Sequence, residues 1–148
     1  MKRIKIIIFA AVFILAVKGN AYGYESGRIT IYGQKTYRAS VLIANKPKEW
    51  VLGLMYIRHL DKNAGLLMIM PPAKVAIWMK NMLMPIDCIY IENNKVVRVY
   101  NALPVCGIKN CKKYYSKSVV DKVLEVNAGT AKEYGIRKND EIKLKITP

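Results

Sequence analysis

From Arg28 onward the chain is a succession of short apolar runs, each closed by a turn-forming residue, and this spacing restricts the fold more than any other feature. "RITIYGQKTYRASVLIAN" alternates apolar and polar residues on both sides of Gly33-Gln34, which predicts two strands joined by a turn. "IDCIYIENNKVVRVYNAL" is the clearest hairpin: Ile86, Cys88 and Tyr90 alternate on one arm, Val97 and Val99 on the other. Asn93-Asn94 between them tolerates the left-handed backbone of a two-residue turn. Further strands are predicted in "LLMIM", entered from a turn at Asn63 to Gly65, and in "KVAIWM", "DKVLEV" and "EIKLKI", the first of them ended by Pro71-Pro72. Two short helices interrupt this pattern. One starts at Pro47 with Trp50, Leu54 and Ile57 on one side; the other runs from Thr130 to Tyr134 with Gly135 as its left-handed cap.

The runs leave no room for regular strand–helix–strand units, so a doubly wound sheet is excluded. The expectation is a mainly β, compact single-domain β-barrel or β-sandwich with about seven or eight short strands and two short helices. No internal repeat is visible.

The first residues read differently. "MKRIKIIIFAAVFILAVKGNAYG" has a basic start, an apolar run from Ile6 to Val17, and small residues at Gly19 and Ala21. This is the anatomy of a secretory signal peptide, with cleavage expected after Ala21 and Gly23 as the second choice. A retained anchor is the alternative, but the run is about a dozen residues where a spanning helix needs about 20. The expected organisation is therefore a signal peptide over 1–21, a lead-in strand over 22–35, and one β-rich domain over 36–148. An exported, periplasmic or extracellular monomer follows, touching a membrane only through the leader before cleavage.

The full chain has 25 Lys and Arg against 10 Asp and Glu, a net charge of +15. Loss of the leader removes Lys2, Arg3, Lys5 and Lys18, leaving 21 basic residues against 10 acidic, or +11. Such a charge attracts a small anionic ligand or an anionic envelope component. The basic residues are dispersed, however, and nucleic acid is a poor partner for an exported protein, so none is expected. In "PVCGIKNCKKYY", Cys106 and Cys111 predict a short disulfide in an oxidising compartment. Half a metal site is the alternative, but four ligands would need His59 and Cys88 as well, and Cys88 lies in an apolar strand. The methionines between Met55 and Met84 could in principle hold a soft metal; core filling is the commoner use of such a stripe. No metal or other cofactor is expected.

In "IWMKNMLMPIDCIYI", Lys80 and Asp87 stand inside an apolar stretch, where charges are costly unless paired. With Trp78 on the same side of a strand as Lys80, and a chain turn at Pro85, the residues Arg58, Trp78, Lys80, Asn81 and Asp87 could converge as a ligand site. Arg and Lys would hold an anion and the indole would offer a stacking surface. The competing reading is architectural: Lys80 pairs with Asp87 and Trp78 is core. His59 beside Asp61 has no second histidine and no G-x-S-x-G or H-E-x-x-H around it, so no catalytic residue is assigned. Glu125 in "VLEV" is expected opposite an apolar face, paired with a strand lysine.

"GLMYIRHLDKNAGLLMIM", "IWMKNMLMPIDCIYIENNKVV" and "VLEVNAGTAKEYGIRKNDEI", in that order, resemble the domain of unknown function 192 family over about residues 36–146. Ile77 replaces the family's usual aromatic, Met82 a threonine and Asn139 a glycine. The resemblance implies a small β-rich barrel or sandwich and no established reaction. Taken together, the expected function is a non-enzymatic module for a small ligand or an envelope partner. The alternative is a small envelope hydrolase using Lys80 and Asp87 as an acid–base pair.

Overall fold

The computed structural model describes residues 23–107 and 110–147; the leader over 1–21 lies outside the described residues. Elements follow in the order β1 (Glu25–Tyr32), β2 (Thr36–Ala44), α1 (Pro47–Leu52), β3 (Ala64–Ala73), β4 (Ala76–Trp78), β5 (Ile86–Glu92), β6 (Lys95–Leu103), β7 (Lys113–Tyr115), β8 (Val120–Asn127), α2 (Thr130–Tyr134) and β9 (Glu141–Thr147). Seven strands close into a barrel in the order β1-β2-β3-β8-β5-β6-β9, and β4 pairs with β7 in a separate small sheet. Of the two architectures expected, the barrel is the one found. Residues 25–32, within the expected lead-in strand, pair along their length with both β2 and β9.

The β2–β3 pair is parallel and is reached through residues 45–63, which carry α1; the remaining barrel pairs are antiparallel. Closure at β6–β9 rests on the Lys95↔Glu141 pair. Val96 N–H donating to Asp140 O (2.9 Å) and Ile142 N–H to Asn94 O (2.8 Å) reinforce it.

Turn chemistry sets the connections. Asn93 and Asn94 both have positive φ (48° and 60°), the conformation their hairpin demands. Gly135 caps α2 at φ 64°, and its N–H is bonded back to the helix. Pro71 and Pro72 do not end β3 as expected: the strand continues to Ala73, and the β3–β8 register shifts between Ile69 and Ala73. The two prolines, which lack N–H donors, fall within that irregularity.

Strand alternation creates two cores. Ile29, Ile31, Val41, Leu67, Ile89, Leu124 and Ile142, drawn from six barrel strands, fill the lumen. On β3, β5 and β8 the opposite face is also apolar. Leu66, Met68, Cys88, Tyr90 and Val123 there form a second core with Leu54, Leu60, Met79, Met82 and Met84 from the overlying chain. This explains why β5 is an unbroken buried run from Ile86 to Ile91. The cover over the second core includes α1, the turns after it, and the β4–β7 sheet.

Candidate functional site

Tyr90 mounts the β4–β7 sheet on the barrel. Its hydroxyl accepts from Ile77 N–H (3.2 Å) and donates to Tyr114 O, so one side chain of β5 engages both outer strands. Buried Ser116 adds a second link: its main-chain O accepts from Arg98 Nε of β6 at 3.2 Å, while its Oγ ties the two ends of the small sheet, accepting from Val75 N–H at 3.1 Å and donating to Ser118 O at 2.6 Å. The β4–β7 pairing sets Trp78 opposite Lys113. On the other side, Tyr56 N–H donates to Asn81 O (2.9 Å) and Asn81 Nδ2 meets Met55 Sδ at 3.7 Å. Asn81 takes a positive φ of 58°, which an L-asparagine tolerates better than most residues.

Between these two supports and the barrel wall lies a cavity of about 450 Å³, within the range of small-molecule sites. Its walls are mainly thioether, indole and aliphatic: Met55, Met68, Met70, Met82, Trp50 and Trp78 define it. The charged residues at its boundary are Lys113, exposed at the rim, and Glu125, which is 3% exposed.

Glu125 is the unusual group. It lies on β8 between Leu66 of β3 and Cys88 of β5, on the outer face of the barrel wall. Gly53 packs so close that a Cβ there would stand 3.4 Å from Glu125 Oε2. Oε2 itself has no hydrogen-bond partner. Burial pushes the carboxyl up to about 7, against a smaller opposing effect of a hydrogen bond from the Leu54 backbone. Burial, with a further contribution from Glu125, also holds the Cys88 thiol well above its ordinary range. The expected lysine partner for Glu125 is not found: Lys122 pairs with Asp121 at 2.9 Å, and the described lysines that form ion pairs do so with other acids.

The five residues grouped from the sequence do not converge. Asp87, fully buried, faces the lumen end. Its Oδ1 accepts from Ala102 N–H (2.7 Å) and Gly129 N–H (3.1 Å), and its Oδ2 from Ala131 N–H (2.7 Å). Those backbone donors supply what the expected Lys80 partner would have given. Lys80 instead holds its Nζ 5.1 Å from the Trp78 ring centroid, past the end of β4, and no Lys80–Asp87 ion pair forms. The acid–base pair of the hydrolase alternative is therefore not assembled. Arg58 and His59 are exposed, the latter 3.4 Å from Asp61. Of the five, Trp78 lines the cavity. Cys106 and Cys111 form the expected disulfide, two residues before β7, and Cys88 is a free buried thiol, so the three sulfurs are not gathered at one point.

The burial of Glu125 was missed from the sequence, though one signal pointed to it. Its alternation with Val123 places both on one face of β8, and the apolar run of the neighbouring β5 on both faces requires a second layer above them. A polar residue on that covered face is buried.

A closed seven-stranded barrel carrying a second, roofed core with a carboxyl-floored pocket is the class of protein this geometry defines. Residues 28–144 match the sequence model of DUF192, described as uncharacterised ACR, and the chain belongs to this family. Among solved structures it is similar to one from Sinorhizobium meliloti 1021 titled a "putative transcription regulator", at 27% identity and a TM-score of 0.76, covering 81% of this chain and 94% of that one. A protein of unknown function from Novosphingobium aromaticivorans shares the fold at 22% identity and a TM-score of 0.78, over 84% of this chain and 89% of that one. The comparison with curated proteins gives no match.

Proposed function

We propose that this chain is a non-enzymatic, exported binding module that takes a small, largely apolar ligand into the pocket over β3 and β8. The observation that carries this reading is Glu125: a carboxyl 3% exposed, with Oε2 unpartnered, in the wall of a cavity of about 450 Å³. An unsatisfied buried oxygen costs about 1–3 kcal/mol. A core that needed only to pack would carry an apolar residue such as leucine there. The cost is recovered when a ligand supplies the missing partner. Export belongs to the same proposal. It is supported by the leader-like first residues and by the Cys106–Cys111 disulfide, a bond that persists where thiols are not kept reduced.

Titration with Nile red, a neutral fluorophore, tests the pocket. Saturable binding that is lost on narrowing the cavity with Met70→Trp supports the reading. Absence of saturable binding, or binding indifferent to Met70→Trp in a folded variant, overturns it.

A further inference from the structure

We propose that the pocket is built for an apolar amine, whose ammonium group pairs with Glu125 while its hydrocarbon body lies against Met68, Met70 and Trp50. This rests on the pocket being a ligand site and goes on to name what fills it. The lining holds one strong acceptor and little else that is polar. Thioether sulfurs accept hydrogen bonds weakly, and Trp50 Nε1–H is already committed to Ala44 O at 3.0 Å. The Glu125 carboxyl has a Leu54 donor and one free oxygen, so a donor on the ligand completes it. A carboxylate or phosphate ligand would set like charge against Glu125 in a dry site. A neutral alcohol would satisfy the hydrogen bond but leave the ionised carboxylate without a counter-charge. An ammonium supplies both.

Among the described residues no cation pairs with Glu125. Lys113 lines the rim but forms no ion pair with Glu125, and Lys80 is held over Trp78. The thioethers and the indole rings are also the soft, polarisable surfaces against which a cation with an apolar body packs well.

The protein's net charge sharpens the test. With 25 basic residues against 10 acidic ones, non-specific attraction favours an anion and disfavours an amine. A preference for the amine must therefore arise locally. The experiment is displacement of Nile red from the folded protein at pH 8 by hexylamine, hexanol and hexanoate, which share one chain length. The expected order is hexylamine first, at about tenfold lower concentration than hexanol, with hexanoate weakest. Glu125→Gln keeps the shape and removes the charge; it should bring hexylamine to the level of hexanol while Nile red still binds. Equal displacement by hexylamine and hexanol, a preference for hexanoate, or an amine preference that survives Glu125→Gln each overturns the amine assignment and leaves the pocket reading standing. Failure of Nile red and of all three compounds to bind removes both.

Discussion

Asp87 and Glu125 stand one step apart on paired strands, since Asp87 is opposite Val126 and Cys88 is opposite Glu125. The single step puts the two carboxyls on opposite faces of the barrel wall. Asp87 turns to the lumen end and is held by three backbone N–H groups. Glu125 turns to the outer core and keeps an oxygen free. The same residue chemistry, equally buried, is spent on architecture in one case and left available in the other. The difference between them generates the first two predictions.

Glu125 makes the folded protein more stable in mild acid. Its pKa rises from 4.5 to about 7 on folding, so the folded state holds the proton more tightly than the unfolded chain. The stabilisation is complete below pH 4.5 and is lost as pH rises to about 7, amounting to about 3 kcal/mol over that window. Of the neighbours facing this carboxyl, the Cys88 thiol stays protonated throughout, its pKa being raised by burial, and Lys113 lies at the exposed rim. Urea unfolding of the wild type and of Glu125→Gln at pH 5 and pH 8 checks this. The Gln variant should gain about 1–3 kcal/mol relative to wild type on going from pH 5 to pH 8. A difference that does not change with pH would show that this carboxyl titrates normally.

Asp87→Asn should destabilise by about 2–4 kcal/mol, because an amide N–H₂ would then face backbone donors that now bond a carboxylate. Lys80→Met should cost under about 1 kcal/mol, the scale of a partly exposed cation–π contact. Since the two side chains do not meet, the double mutant should equal the sum of the single changes within about 0.5 kcal/mol. A coupling energy of a few kcal/mol in this urea cycle would mean that Lys80 and Asp87 interact in solution after all.

The disulfide bears on the pocket because Cys111 is two residues before Lys113, and β7 pairs with the β4 wall at Trp78. Closing so short a loop is worth about 2 kcal/mol in chain entropy. Cys106→Ser with Cys111→Ser should lower stability by about that amount. It should also weaken Nile red binding, since one anchor of the β4–β7 sheet is loosened while Tyr90 and Ser116 remain. Unchanged stability together with unchanged dye affinity would separate the loop from the pocket.

The sequence carried the local structure further than the site. Pro47, Asn93-Asn94 and Gly135 each mark a connection through their own backbone preferences, and each was readable without knowing the fold. What could not be read depends on contacts across the chain. β7 is three residues long and gains its strand character from β4, and Pro71-Pro72 are tolerated because a register shift in β3 accommodates them. The charges in "IWMKNMLMPIDCIYI" looked like partners because they lie close in sequence. Alternation along β5 alone does not reveal that the barrel turns Asp87 toward the 129–131 turn, a segment more than forty residues distant. Glu125 was hidden by the same limitation, since a polar residue on a strand reads as solvent-facing until the layer above it is known.

Two glycines with positive φ separate backbone strain from pocket shape. Gly53 (φ +50°) would place a Cβ 3.3 Å from Met68 Cε and 3.4 Å from Glu125 Oε2, whereas Gly129 (φ +90°) would meet nothing within 4 Å. Substitution by alanine incurs backbone strain of order 1–3 kcal/mol at either site, more at Gly53 (ψ −133°) than at the left-handed Gly129 (ψ −12°), so Gly53→Ala should show the larger loss in urea unfolding. Only Gly53→Ala adds a methyl group between the methionine and the carboxyl that the ligand is proposed to reach. It should weaken Nile red binding severalfold and abolish the preference for hexylamine, while Gly129→Ala binds both as the wild type does. Equal binding by the two variants would place the ligand away from Glu125, and the polar anchor of the pocket would then have to be sought at Lys113.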